Sequence, residues 1–164
     1  MNFKIRDYQE KDFEAFSDFT EAIQRYLVSI DGWKTTAVGP HYKEILSRDY
    51  LETVRNQSGI IKIVEANGKI VGTGLAYVTV PSELIKNKYI GDHQRIGMIK
   101  NVFIDEDYRG SGIGTTLINE LEEHLRLQGC KSIRLTVFEP NKNAHALYTK
   151  LGYEDYSRVL IKND

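Results

Sequence analysis

Arg109-Gly110-Ser111-Gly112-Ile113-Gly114-Thr115-Thr116-Leu117 stands between an apolar stretch, Met98 to Ile104, and a run of leucines at helical spacing. The three glycines, Gly110, Gly112 and Gly114, let the backbone turn tightly and approach a ligand with no Cβ in the way. A helix that starts here directs unpaired N–H groups and the positive end of its dipole outward, which suits a phosphate. The bland alternative is an ordinary glycine-rich turn from strand to helix, so the flanking sequence has to decide.

Upstream of the turn, Met98–Ile104 reads as a strand, followed by the charged link Asp105-Glu106-Asp107-Tyr108. Downstream, Ile113, Leu117, Leu121 and Leu125 recur every four residues with Ile118 beside them, and Gly129 stops the helix. Ile133, Leu135 and Val137 alternate with Arg134 and Thr136 as a strand. Pro140-Asn141 then opens a helix with Ala144, Leu147, Tyr148 and Leu151 on its apolar face and Gly152 at its end. Tyr153 to Ile161 reads as a last strand.

Toward the N-terminus, Phe3 and Ile5 alternate with Lys4 and Arg6 as a short first strand. Asp12 is placed to cap a helix carrying Phe13, Phe16, Ala22, Ile23, Tyr26 and Leu27. Residues 31–41 form a loop, and a second helix runs from Tyr42 to Val54 with Ile45, Leu46, Tyr50 and Val54 as its stripe. Ile60 to Val64 and Ile70 to Val80 flank Asn67-Gly68, a type I′ hairpin signal. Gly72 and Gly74 within the second of these strands predict a bulge or a close backbone approach. Ser82 to Arg95 is a long polar loop, a length often tied to function. The order β-α-α-β-β-β-α-β-α-β predicts one α/β (α+β) domain over residues 1–164 with a mixed central sheet.

Composition narrows the class of partner. With 41% hydrophobic and 27% charged residues in 164, the chain reads as a soluble globular protein. A formal net charge of −1 argues against nucleic acid. No apolar run approaches the ~18 residues of a membrane span. The opening alternation is not that of a signal peptide, so a cytoplasmic protein is expected. The lone Cys130 leaves no internal disulfide and no cysteine-rich metal site, and no metal is expected.

Three phosphate motifs compete for the glycine turn. A Walker loop needs a lysine after its last glycine, and Thr115 stands there. A dinucleotide fingerprint needs Gly-x-Gly-x-x-Gly right after a strand with an acidic residue ~20 positions on. Glu139 ends the next strand, but the spacing here is Gly-x-Gly-x-Gly and five polar residues intervene. Arg109-x-x-Gly112-x-Gly114 fits a third pattern, with Asn141-x-x-Ala144-x-x-Leu147-Tyr148-x-Lys150-Leu151-Gly152-Tyr153 after the next strand. On these two motifs, in this order, the chain resembles the GNAT superfamily of acyl-CoA-dependent N-acetyltransferases. The likeness is firm over about residues 96–155; before that only the order of elements matches.

The resemblance implies a mostly antiparallel mixed sheet flanked by about four helices, and acetyl-CoA as co-substrate. It gives the pyrophosphate to the backbone of Arg109, Gly110, Ser111, Gly112, Ile113, Gly114 and Thr115. It sets Val102, Phe103 and Ile104 against the pantetheine arm, with the Val102 amide as donor to the thioester carbonyl. Asn141 becomes a cofactor contact, although it can equally cap its helix; Asn143 is the other candidate cap. Tyr148 becomes the general acid for the leaving thiolate, its packed alternative being a core tyrosine. Some family members place a glutamate on the strand before the cofactor as base; here that strand offers Met98, Lys100 and Asn101. Asp92, His93 and Glu139 remain candidates. Trp33, Tyr42 and His93 are expected near an acceptor that is the amine of a small molecule or peptide. Family habit allows a homodimer. A non-catalytic acyl-CoA-binding module on the same fold is the alternative.

Overall fold

The computed structural model describes residues 2–82 and 94–162. Among them the chain forms β1 (Phe3–Asp7), α1 (Phe13–Ile30), α2 (Tyr42–Asn56), β2 (Ile60–Ala66), β3 (Lys69–Thr79), β4 (Ile96–Ile104), α3 (Ile113–Leu127), β5 (Ser132–Leu135) and α4 (Lys142–Lys150). The strands lie in sequence order in one sheet. β1 to β4 pair antiparallel, and β5 joins β4 in parallel, as a strand reached through a helical crossover can. The mixed, mostly antiparallel sheet expected from the sequence is therefore present.

Alternation along the strands sends apolar side chains to both faces. Ile61, Ile63 and Leu75 meet Phe16 of α1 and Leu51 and Val54 of α2. Val64, Ala76, Val78 and Ile99 meet Ile113, Leu117, Ile118, Leu121 and Leu125 of α3 on the other face. Those five α3 side chains are at most 1% exposed. Burial of each is worth roughly 1.5–3 kcal/mol, so α3, and with it the glycine turn, is fixed to the sheet.

Asn67 and Gly68 both have positive φ, 51° and 74°, as the I′ turn requires. A Cβ on Gly72 would stand 2.6 Å from the Phe103 carbonyl oxygen, so β3 and β4 approach closely there. A Cβ on Gly74 would meet Leu121 at 3.0 Å.

Four expectations are corrected. Asp12 makes no side-chain cap to α1. Its carboxylate is forked by Arg6 at 2.6 and 2.8 Å and accepts from the Gln9 amide at 2.8 Å. Arg6 holds this buried carboxyl below the usual carboxylate range, against the upward push of burial. Ile45 is 65% exposed and lies off the apolar stripe of α2, where Tyr50 and Val54 do pack. β5 ends at Leu135, short of Val137. Tyr153 to Ile161 forms no strand: no ladder partner takes it up, and Val159 and Leu160 are exposed. β propensity yields a strand only where an edge accepts it.

Candidate active site

The glycine turn follows β4 through a short 3-10 turn, Glu106–Tyr108. Gly110 and Gly112 take φ of +74° and +85°, and a Cβ at either would meet nothing within 4 Å. The glycines thus serve the backbone conformation and leave clear space above it. Gly112 is the N-cap of α3, no side chain caps the helix, and its first turn holds no acidic residue. The first helical bond is Thr116 N to Gly112 O, so the amides of Ile113, Gly114 and Thr115 have no intrahelical acceptor. Ile113 is 1% exposed and pins this start to the core. The Ser111 hydroxyl is engaged, donating to the Tyr108 carbonyl at 2.6 Å. Arg109 turns back, donating from Nε to the Ile104 carbonyl at 2.9 Å, with its guanidinium 5.6 Å from the Phe103 ring centroid. The turn is tied to the end of β4 and offers an anion a ring of amides.

β4 and β5 pair only from Ile96↔Ser132 to Ile99↔Leu135. Beyond that point Lys100–Ile104 runs on with β3 still paired along one edge. Its other edge meets no strand among the described residues. Such an edge presents backbone donors and acceptors to an extended ligand arm. Val102 and Ile104 pack against the core cluster that holds the α3 leucines, while Phe103 stacks on Phe19 of α1 at 5.2 Å.

Two tyrosines close the α4 side. Tyr148 and Tyr153 meet edge to face at 6.1 Å. The Tyr153 hydroxyl donates to Glu122 Oε1 at 2.7 Å, and burial together with that carboxylate drives its pKa far up. The Tyr148 hydroxyl has no hydrogen-bond partner among the described residues, and burial alone pushes its pKa upward. Of the pair, only Tyr148 has a hydroxyl available to a ligand. Its neighbour Leu147 lies 3.5 Å from where a Cβ on Gly114 would be, so α4 abuts the first turn of α3.

Asn141 is the N-cap of α4; Asn143 lies inside the helix. Asn141 Oδ1 accepts from the Ala144 amide at 3.3 Å and from the Tyr26 hydroxyl, also at 3.3 Å. Tyr26 was not foreseen as a partner, since 115 residues separate it from Asn141 and no local pattern links them.

The expected acceptor residues are scattered. Tyr42 donates to Gln24 at 3.2 Å and lines an open cavity of about 430 Å³ with Glu21, Arg25, Pro40 and His41. Trp33, 46% exposed, is not in that lining. Its loop is held by Asp31, which accepts from the Trp33, Thr35 and Thr36 amides at 3.0, 2.6 and 2.8 Å. Asp92 and His93 lie outside the described residues. Glu139 is exposed and ion-paired with Lys142, so it stands on the surface. Cys130 is buried and its thiol pushed up, the state of an inert structural cysteine.

A family model, "Acetyltransferase (GNAT) family", matches residues 10–153. An uncharacterised N-acetyltransferase of Methanocaldococcus jannaschii is 30% identical over 151 residues, 92% of this chain and 57% of that protein. A thialysine N-epsilon-acetyltransferase of Bos taurus is 32% identical over 105 residues, 61% of this chain and 56% of that protein. The chain thus spans little more than half the length of either relative. A crystal structure of a "predicted acetyltransferase with acetyl-CoA" from Clostridium acetobutylicum superposes with a TM-score of 0.73 at 20% identity, covering 99% of this chain and 96% of that one.

Proposed function

Because this chain belongs to the acetyltransferase (GNAT) family, we propose that it transfers an acetyl group from acetyl-CoA directly to the amine of a small molecule or peptide. The observation that carries the reading is the uncapped start of α3. Its acceptor-free amides and open glycines are tied to the end of β4, whose far edge meets no strand among the described residues, and α4, which carries Tyr148, abuts its first turn. A pyrophosphate fits such a seat, since charge-assisted bonds to amides are among the stronger ones. The backbone of Arg109–Thr115 would hold it. The edge of Val102–Ile104 would align the pantetheine arm and direct the Val102 amide at the thioester oxygen.

The amine nitrogen forms the new bond to the acetyl carbon as the carbon–sulfur bond breaks. Tyr148 gives its proton to the departing sulfur and regains one from solvent, while the amine's proton leaves to water. Freeing an alkyl ammonium at pH 7 costs ~4–5 kcal/mol, from its pKa of ~10.4. Glu139 stands on the surface, which leaves this step to uptake of the minor neutral amine or to Asp92 or His93 as base.

Thermal shift tests the binding half of the reading. At 100 times Kd, acetyl-CoA stabilises by ~2.7 kcal/mol, raising Tm by roughly 5–11 °C for a chain of this size, whereas NAD does nothing. CoA release across a panel of amines tests the rest. Binding without turnover on a broad panel would make the chain an acyl-CoA-binding module instead.

A further inference from the structure

β4 is irregular just past the end of its ladder with β5. From Thr73 to Leu75 β3 advances two positions, while the paired residues on β4 run from Phe103 back to Lys100, three positions. β4 therefore carries one extra residue, a bulge. Asn101 sits in it with φ of +54°, the only described residue of the sheet's strands with a positive φ. Asparagine tolerates that region better than most side chains. The β4–β5 ladder ends at Ile99, just before the bulge, and the freed edge, Lys100–Ile104, contains it.

The bulge is tied from outside the sheet. Asn101 Nδ2 donates to Thr20 Oγ1 of α1 at 2.9 Å. Thr20 is 1% exposed, and its hydroxyl gives its only proton to the Phe16 carbonyl at 2.9 Å. The hydroxyl can offer Asn101 only a lone pair, so the amide must present its NH2 end there. One turn of α1 also carries Phe19, which stacks on Phe103 two residues past Asn101. α1 thus grips the strand on both sides of Val102.

We propose that the Asn101–Thr20 hydrogen bond is a positioning latch: it holds the β4 bulge so that the backbone of Val102 and Phe103 is aimed at the thioester. The proposal rests on the acetyl-transfer reading above. Asn101 acts through the backbone and touches no reacting atom. Misaiming the donor lowers turnover, because small displacements of a reacting geometry cost about 10- to 100-fold. Cofactor affinity, set by the glycine turn, is spared.

Three variants test the latch. Thr20→Val keeps the shape and removes the acceptor; Thr20→Ser keeps the acceptor and trims the shape. Asn101→Gly keeps the positive φ at no steric cost and removes the donor. Thr20→Val and Asn101→Gly are expected to lose about 10- to 100-fold in kcat, with Kd for acetyl-CoA within twofold. Thr20→Ser is expected to retain at least half of kcat. In the ligand-free protein, the Val102 and Phe103 amide resonances should move in Thr20→Val and Asn101→Gly and stay in Thr20→Ser. If Thr20→Val does not fold, Asn101→Gly carries the test alone. A kcat within twofold of wild type in Asn101→Gly, or Thr20→Ser falling as far as Thr20→Val, overturns the latch. A wild-type protein that turns over no amine overturns the acetyl-transfer reading instead. In that case stationary amide resonances would still dismiss the latch, and shifted ones would still support it.

Discussion

Replacing Gly112 by alanine separates strain from ligand approach, because α3 supplies its own control. Gly112 precedes the helix at φ +85° and Gly129 follows it at φ +82°. The helix between them has 15 residues, so the two glycines stand ~22 Å apart or slightly more. Alanine at Gly112 meets nothing within 4 Å, and at Gly129 only Arg95 at 3.8 Å. Each substitution therefore costs the same kind of energy, an L-residue forced into the left-handed region, ~1–2 kcal/mol. For a chain of this size that lowers Tm by about 2–8 °C. Only at Gly112 does the new methyl enter the space above the acceptor-free amides. Loss of one charge-assisted bond there, ~1.5–3 kcal/mol, weakens acetyl-CoA by about 10- to 100-fold. Calorimetric titration of both variants, with Tm from thermal denaturation, reads the two effects separately. If Gly112→Ala binds acetyl-CoA as tightly as Gly129→Ala, the glycine turn is not the pyrophosphate seat.

Three further outcomes follow from the same geometry. Tyr148→Phe should cut kcat by about 10²- to 10⁴-fold with acetyl-CoA Kd unchanged within twofold, since it removes one hydroxyl with no partner among the described residues; unchanged turnover would dismiss the acid role. Because burial raises the Tyr148 pKa, its acid form persists through the physiological range, so kcat/KM should climb with pH toward the amine's own pKa. A fall between pH 7 and 9 would contradict that. Asp12→Asn should lose about 2–3 kcal/mol near pH 7 by urea denaturation, less than the ~3–5 for an orphaned buried charge because Glu65 still pairs Arg6. The Asp12 pKa is depressed in the fold, so its contribution is full above the unfolded value of ~3.9 and disappears as pH falls through the lower folded value. The gap between Asp12→Asn and wild type should therefore narrow below about pH 4, and a constant gap would refute the ion-pair account.

Much of the fold was legible in the sequence because its signals are local. The I′ turn at Asn67-Gly68, the four-residue steps of α3 and the glycine at its end each follow from one or two backbone preferences. The two motifs, around the glycine turn and Tyr148, made the family legible, and the family model over residues 10–153 agrees. What escaped depends on partners far along the chain. Asp12 looks like a helix cap until Arg6 and Glu65 are placed beside it. Tyr153–Ile161 has strand composition but no edge to join. The bulge at Asn101 left a trace, two polar residues, Lys100 and Asn101, in succession where alternation predicts one. Its tie to Thr20 spans 81 residues and left none. Tyr26 at Asn141 is of the same kind.

Acetyl transfer through a ternary complex makes a stoichiometric demand that can be met or missed in one experiment. Protein is mixed with one equivalent of acetyl-CoA, with and without an amine from the panel, and intact protein mass, free thiol and acetylated amine are followed together. Direct transfer predicts no acetyl adduct on the protein, negligible thiol without amine, and equal yields of thiol and acetylated amine when the right amine is present. An acetylated protein that forms without amine and later discharges to it, or thiol released with no acetylated amine, would contradict direct transfer.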